Sequence, residues 1–165
     1  MTNHDVIRLK QAELESTASK CVKHSVGCVI CDKDGRIISS GYNGTPPNEQ
    51  NCCDRWPNFD ELTEKFTNEN GAMSLHTLNQ SHHEWAAVNE VHAEINAIIR
   101  ADYNKMEGGT IYVTMEPCPS CSVTIAATPL ARVVCGKEYH RSNDRTRNIL
   151  RNKQYLIINT NEEEM

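Results

Sequence analysis

The sequence predicts an α/β protein in three α-β-α layers, with helices covering both faces of one five-stranded mixed sheet. Three observations carry that prediction. The β-prone run 26–31 is followed by Asp32-Lys33-Asp34-Gly35 and a second β-prone run, 36–41, the pattern of an antiparallel hairpin. From position 92 onward, stretches of helical and strand character alternate, which favours parallel pairing through helical crossovers. The length of 165 residues suits one domain with a real core, read here as spanning 1–165 with a loop-rich insertion at about 42–90.

Taken in order, residues 5–20 place apolar side chains at helical spacing and predict an amphipathic helix ending near Ser19. The hairpin follows. Through 42–90, Gly44, Pro46, Pro47, Asn48, Asn51 and Pro57 interrupt regular structure, leaving room for a short polar helix over 59–67. A loop of that length in a compact domain is usually functional and has to be held by something, because its apolar content is low. His92 to about Asn104 reads as a helix with Ile95, Ile98 and Ile99 inward, stopped by Gly108-Gly109. A strand at 110–115, a helix from Cys118 to about Ala127, a strand at 132–135, a helix near 144–151 and a strand at 155–158 complete the domain. The tail Glu162-Glu163-Glu164-Met165 is expected to fray.

Composition narrows the function classes. Hydrophobic residues make up 38% of the chain, and no apolar run approaches the roughly 20 residues of a membrane helix. The start, Met1-Thr2-Asn3-His4-Asp5, lacks the basic and apolar regions of a signal peptide, so a cytoplasmic protein with no membrane partner is expected. Eight Cys beside seven His, without an export signal, point to metal rather than disulfides. A formal charge of -5 argues against a protein that grips a nucleic acid polymer, but allows a single nucleotide on a local basic patch. Residues 132–153 offer such a patch, with Lys/Arg at 132, 137, 141, 145, 147, 151 and 153 against acids at 138 and 144.

Two short stretches carry the chemistry: Val91-His92-Ala93-Glu94-Ile95-Asn96-Ala97 and Met115-Glu116-Pro117-Cys118-Pro119-Ser120-Cys121. Together they form the H-x-E…P-C-x-x-C pattern of zinc-dependent nucleobase deaminases. Cys118 and Cys121, three apart, share a helix face, and Pro117 and Pro119 suit a helix start. The positive end of that helix favours the thiolates that zinc requires. His92 and Glu94 are two apart and cannot face one ion from inside a regular helix, so His92 must sit at or before the first turn. One His and two Cys leave the fourth position of a catalytic zinc to water, whose pKa the metal lowers to about 7. Glu94 is then the proton shuttle, from the water to ring N3 of a cytosine and later to the departing ammonia. The competing reading is a structural zinc knuckle with Glu94 as a surface carboxylate.

Beyond these motifs the chain resembles the deoxycytidylate (dCMP) deaminase family, its bacteriophage form in particular. The resemblance lies in Ser19-Lys20-Cys21, Val26-Gly27-Cys28-Val29-Ile30, Gly41-Tyr42-Asn43-Gly44-Thr45-Pro46, Asn51-Cys52-Cys53-Asp54, the stretch from Asn89 to Ile98, and Tyr112 to Cys118. H-A-E with P-C-x-x-C specifies the superfamily, and the G-Y-N-G-x-P loop points to the dCMP branch. The resemblance implies a cytidine-deaminase-like fold and conversion of dCMP to dUMP for thymidylate synthesis. It also implies a homo-hexamer activated by dCTP with Mg²⁺ and inhibited by dTTP, in the host cytoplasm if the chain is viral. It implies that Lys23 and Ser25 lie near the phosphate, that Asn43 meets the deoxyribose or, with Gly44, the effector pocket, and that Glu90, Ala93 and Tyr139 contact substrate. A second, structural Zn²⁺ pinning the insertion falls on Cys21, Cys52 and His82. The remaining family His falls at Leu78, which makes His76 the expected replacement, with His83 also near. Arg100 and Tyr103 occupy the neighbourhood of a family regulatory Arg without a clean match. The alternatives are a deaminase acting on dCTP, tRNA or single-stranded DNA, and a catalytically inactive deoxynucleotide sensor.

Overall fold

The computed structural model describes residues 2–68, 71–139 and 144–158, without the side chain of Arg145. The fraying expected of 162–165 and the contribution of Arg141 to the basic patch lie outside the described residues. The chain divides into two compact units. One comprises Met1–Ser19, Ser25–Asn43 and His92–Met165; the other comprises Lys20–His24 and Gly44–Val91.

The first unit holds the sheet. Its strands are β1 (Gly27–Cys31), β2 (Ile37–Tyr42), β3 (Thr110–Val113), β4 (Arg132–Cys135) and β5 (Gln154–Ile157), in the order β2-β1-β3-β4-β5. β1 pairs antiparallel with both β2 and β3, whereas β3, β4 and β5 run parallel. The mixed sheet follows from its connections: a tight turn forces the hairpin antiparallel, and the later helices carry the chain back for parallel pairing. In the turn, Asp32 Oδ1 accepts from the N–H groups of Asp34 and Arg36, both at 2.9 Å. Gly35 takes the positive φ of 80° that the reversal needs.

Alternation along the strands builds two cores. Cys28, Ile30, Ile111, Val113, Val133 and Cys135 face α5 (Ala93–Arg100) and α6 (Pro119–Ala126), packing with Ala93, Ala97 and Ile125. Val29, Cys31, Tyr112 and Val134 face α1 (Asn3–Ser16), packing with Leu9 and Ala12. Thr2 and Asp5 form a reciprocal capping box at the start of α1. The helix ends at Ser16 rather than Ser19. The hydroxyls of Ser16 and Thr17 bond back to the carbonyls of Glu13 and Leu14 at 2.7 Å, and the amides of Thr17, Ala18 and Ser19 make only short-range turn bonds.

The expectation of a loop-rich 42–90 needs correction, because most of it is helical. α2 (Cys52–Arg55), α3 (Phe59–Asn68) and α4 (Ala72–Asn89) make up the second unit, which an antiparallel bridge between Gly44 and Val91 closes. α4 carries Leu75, Leu78, His82 and Trp85 along one partly or fully buried stripe. With a histidine inside the stripe and no side-chain cap on Gly71, its helical period looks broken in sequence. The remaining helix of the first unit is α7 (Asp144–Ile149), and a 3₁₀ turn at Tyr103–Met106 replaces the expected continuation of α5 to Asn104. Among the described residues no helix is long and apolar enough to cross a membrane.

Candidate active site and metal centres

The expected helix start at His92 is found in the first unit. His92 is the N-cap of α5, with extended φ −68° and ψ 153°, so its ring leaves the chain before the helix begins while Glu94 occupies the first turn. Two residues two apart can therefore face one ion. α5 is pinned against β2: Gly41 lets its backbone approach so closely that a Cβ there would lie 2.6 Å from the amide nitrogen of Ala97 and 2.7 Å from the carbonyl of Ala93. Ser39 Oγ donates to the Ala97 carbonyl at 2.7 Å, and Asn96 Nδ2 donates to the Tyr42 carbonyl at 2.8 Å.

α6 supplies the thiols. Cys118 is its N-cap, Pro119 opens the helix, and Cys121 follows one turn along. His92 Nδ1 lies 3.5 Å from Cys118 Sγ and 3.3 Å from Cys121 Sγ. A tetrahedral zinc with bonds of roughly 2.3 Å to sulfur and 2.0–2.1 Å to nitrogen sets its ligand atoms about 3.5 Å apart, so the set fits zinc as it stands. The hydrogen bond shared with Cys121 holds the Cys118 thiol well below its usual range, with His92 and Ser120 assisting against burial. Glu94 is buried beside them, and burial pushes its carboxyl above the ordinary value. A carboxyl poised in that direction suits proton exchange near neutral pH.

Next to Cys118 stands a residue whose part sequence reasoning missed. Glu116 is 2% exposed and remains ionised. Burial opposes its charge, but hydrogen bonds from Arg147, Tyr155 and the Tyr139 amide outweigh that and lower the pKa. The available signal was an acid at the end of an apolar strand, directly before the Pro-Cys turn.

A second cluster lies in the other unit. Cys21 Sγ and Cys52 Sγ are 3.7 and 3.3 Å from His82 Nε2, again within the spacing of a shared ion. The Val22 amide donates to Cys52 Sγ at 3.5 Å and the Cys53 amide to the Lys20 carbonyl at 3.1 Å, which ties 20–24 to α2. Trp56 and Phe59 pack on the His82 ring at centroid distances of 5.2 and 5.3 Å. His76 is not one of the three clustered residues and stands exposed on α4. Glu90 faces the two sulfurs instead. Burial, then the charge of Cys21, pushes its carboxyl up to about 7, and its Oε1 is buried with no hydrogen-bond partner among the described residues.

The other expected contact residues are scattered. Asn43 is buried at the end of the first unit's hairpin, its Oδ1 accepting from the Val26 amide at 2.8 Å. Lys23 Nζ donates to Asn79 Oδ1 at 2.7 Å within the second unit, and Gly44 forms that unit's bridge with Val91. Ser25 is exposed just before β1, Ala93 is fully buried in the core, and Tyr139 is half-buried with its amide on Glu116.

Residues 2–137 match the family model of the cytidine and deoxycytidylate deaminase zinc-binding region. The chain belongs to the cytidine and deoxycytidylate deaminase family. Deoxycytidylate deaminase of Enterobacteria phage T4 is 36% identical over 168 residues, covering 92% of this chain and 86% of the relative. The enzyme of Mycobacterium phage D29 is 36% identical over 124 residues, 73% of this chain and 84% of its own. A crystal structure of dCMP deaminase from the cyanophage S-TIM5, in complex with dCMP and dUMP, superposes with a TM-score of 0.65 at 26% identity, over 96% of this chain and 99% of that one. tRNA:A34 deaminases share the fold at TM-score 0.55 and 18% identity. The deaminase family's zinc fits the spacing of His92, Cys118 and Cys121, and Glu94 lies buried beside them.

Proposed function

We propose that this deaminase hydrolyses dCMP to dUMP and ammonia, supplying dUMP for thymidylate synthesis. The observation that carries the reading is a buried Glu94 beside a three-residue cluster with zinc spacing, in a chain similar to enzymes named for dCMP. Zinc held by His92, Cys118 and Cys121 would supply an activated water at neutral pH, its pKa lowered to about 7. Glu94 accepts a proton from that water as its oxygen adds to C4 of the cytosine ring, and passes it to N3. Glu94 then carries the proton of the hydroxyl added at C4 to the exocyclic amine, so that the C4–N bond breaks, C4 becomes a carbonyl, ammonia leaves and the ring remains as uracil. Burial pushes the carboxyl above its ordinary value, the direction that suits one group serving as base and then as acid.

The finer assignments belong to this reading. Ser25, Lys23, Asn43, Glu90, Ala93 and Tyr139 are the substrate-side residues that resemblance suggests, with Asn43 and Gly44 beside an effector site for dCTP with Mg²⁺ or dTTP in a homo-hexamer. A second zinc on Cys21, Cys52 and His82 takes Glu90 rather than His76 as its fourth ligand, which removes Glu90 from the substrate side; the support is that the Glu90 carboxyl faces that cluster and its Oε1 is buried without a hydrogen-bond partner among the described residues. Free thiols at all eight cysteines suit a reducing cytoplasm, the host's if the chain is viral. The test is steady-state ammonia release from deoxycytidine, dCMP, dCTP and a cytosine-containing oligonucleotide, each with and without dCTP–Mg²⁺ and dTTP. Turnover confined to dCMP is expected. Turnover of the oligonucleotide or dCTP in preference to dCMP, or binding without turnover, overturns the proposal.

A further inference from the structure

Glu116 performs a task that the proton transfers above do not require. Its carboxylate takes three donors from three parts of the first unit. Oε1 accepts from the Tyr155 hydroxyl of β5 at 2.6 Å and from Arg147 Nε of α7 at 3.0 Å. Oε2 accepts from the backbone amide of Tyr139 at 3.2 Å. The backbone amide of Glu116 also donates to the Lys137 carbonyl at 2.8 Å, and that of Gly136 to the Val113 carbonyl at 2.9 Å. The segment that leaves β4 is therefore stitched to the segment that leaves β3, by main chain first and by the Glu116 side chain at its far end.

The position of this stitch matters. β3 and β4 are parallel, so both segments emerge beyond the carboxyl ends of their strands, the side on which open parallel sheets bind ligands. One segment leads within two residues to Cys118, while the other carries Tyr139. Placing a carboxylate with a side-chain exposure of 0% here is costly, and an apolar residue could fill the space at less cost. What an apolar residue cannot do is hold a backbone N–H and two side-chain donors at fixed positions at once.

We propose that Glu116 is a positioning residue, a buried clamp that fixes residues 137–139 against the zinc-ligand turn and so presents Tyr139 to the nucleotide. The inference rests on the dCMP reading for the identity of the substrate, but the clamp itself does not. Glu116 acts through Tyr139 and not on the reacting atoms, so its loss weakens substrate binding more than turnover.

The experiment uses the full-length, zinc-loaded protein with Glu116→Ala, Glu116→Gln and, as a milder change that keeps the carboxylate, Tyr155→Phe. In Glu116→Ala, KM for dCMP is expected to rise about 10-fold while kcat stays within about 3-fold, with catalytic-zinc content unchanged. Amide exchange at Tyr139 accelerates and that of Val134 in β4 does not. Glu116→Gln, which keeps one acceptor oxygen, recovers part of the KM loss, and Tyr155→Phe shifts KM and Tyr139 exchange in the same direction by less. A Tyr139 amide that stays protected in these variants, or a KM unchanged while the melting temperature falls, overturns the clamp and leaves Glu116 a structural prop. A wild-type protein inactive on dCMP overturns the substrate reading instead, and the Tyr139 exchange still decides the clamp.

Discussion

Glu94 and Asp5 are both buried carboxyls, and they are driven in opposite directions by what surrounds them. Around Glu94, burial prevails and the carboxyl is pushed up, as a proton carrier needs. Glu94→Gln is expected to lower kcat by about 10²–10⁴ or more while zinc remains bound, read by ammonia release beside metal analysis. Near-normal turnover in that variant would refute the mechanism. His92→Ala, Cys118→Ala or Cys121→Ala should lose the metal itself. Around Asp5, burial also opposes the charge, but donors win: Arg132 at 3.2 Å, the Thr2 cap and the Tyr112 hydroxyl at 3.1 Å hold the carboxyl below its ordinary 3.8. A carboxyl with a lowered pKa in the fold stabilises the fold above its unfolded value and loses that contribution as pH falls through the folded one. Urea unfolding should therefore show Asp5→Asn less stable than the parent by about 1–3 kcal/mol at pH 7, with the gap closing below pH 3.8. A gap independent of pH would mean that Asp5 contributes through shape alone.

At the scale of elements, the active site depends on how closely α5 lies against β2. Gly41 makes that approach possible, since a side chain there would press on the backbone at Ala93 and Ala97, one residue from His92 and three from Glu94. Gly41→Ala is expected to destabilise the fold by about 1–3 kcal/mol and to reduce kcat by up to about 10²-fold through displaced catalytic groups. Denaturant unfolding and single-turnover rates measure the two effects separately. Full activity in Gly41→Ala would show that the helix can shift without moving the site. The N-cap positions of His92 and Cys118 express the same logic: each candidate zinc ligand stands where its helix has not yet begun, free of the helical direction that its neighbours follow.

Across the whole molecule, the two compact units each carry one Cys/His cluster with metal-like spacing. In the second unit, Trp56 and Phe59 pack on the ring of His82 in the buried stripe of α4, so a metal bound there would hold the same helix that the aromatic packing holds. Metal analysis is expected to give two zinc ions per chain. Cys52→Ala should reduce this to one and speed amide exchange through α4, whereas His76→Ala should leave both ions in place. One zinc per wild-type chain would remove the second centre, and loss of an ion in His76→Ala would restore His76 as its ligand.

What the sequence determined by itself was whatever depends on local spacing. The hairpin at Asp32–Gly35, the alternating strands, the His92 helix start and the Cys118–Cys121 spacing follow from neighbours a few residues apart, where turn chemistry and helix period act directly; that His92 Nδ1 lies 3.5 and 3.3 Å from the two sulfurs was decided by the fold, across 26 and 29 residues. Tertiary structure alone decided what depends on distant partners. α4 escaped notice because His82 occupies a core position in its stripe, which makes sense only once Cys21 and Cys52 are brought to it across 61 and 30 residues. Glu90 turns toward that cluster, and His76 away from it, for the same reason. Glu116 looked like an incidental acid until β5, α7 and the segment after β4 supplied its donors. Buried charge is meaningful only with its partners, and those partners are set by the fold rather than by adjacency.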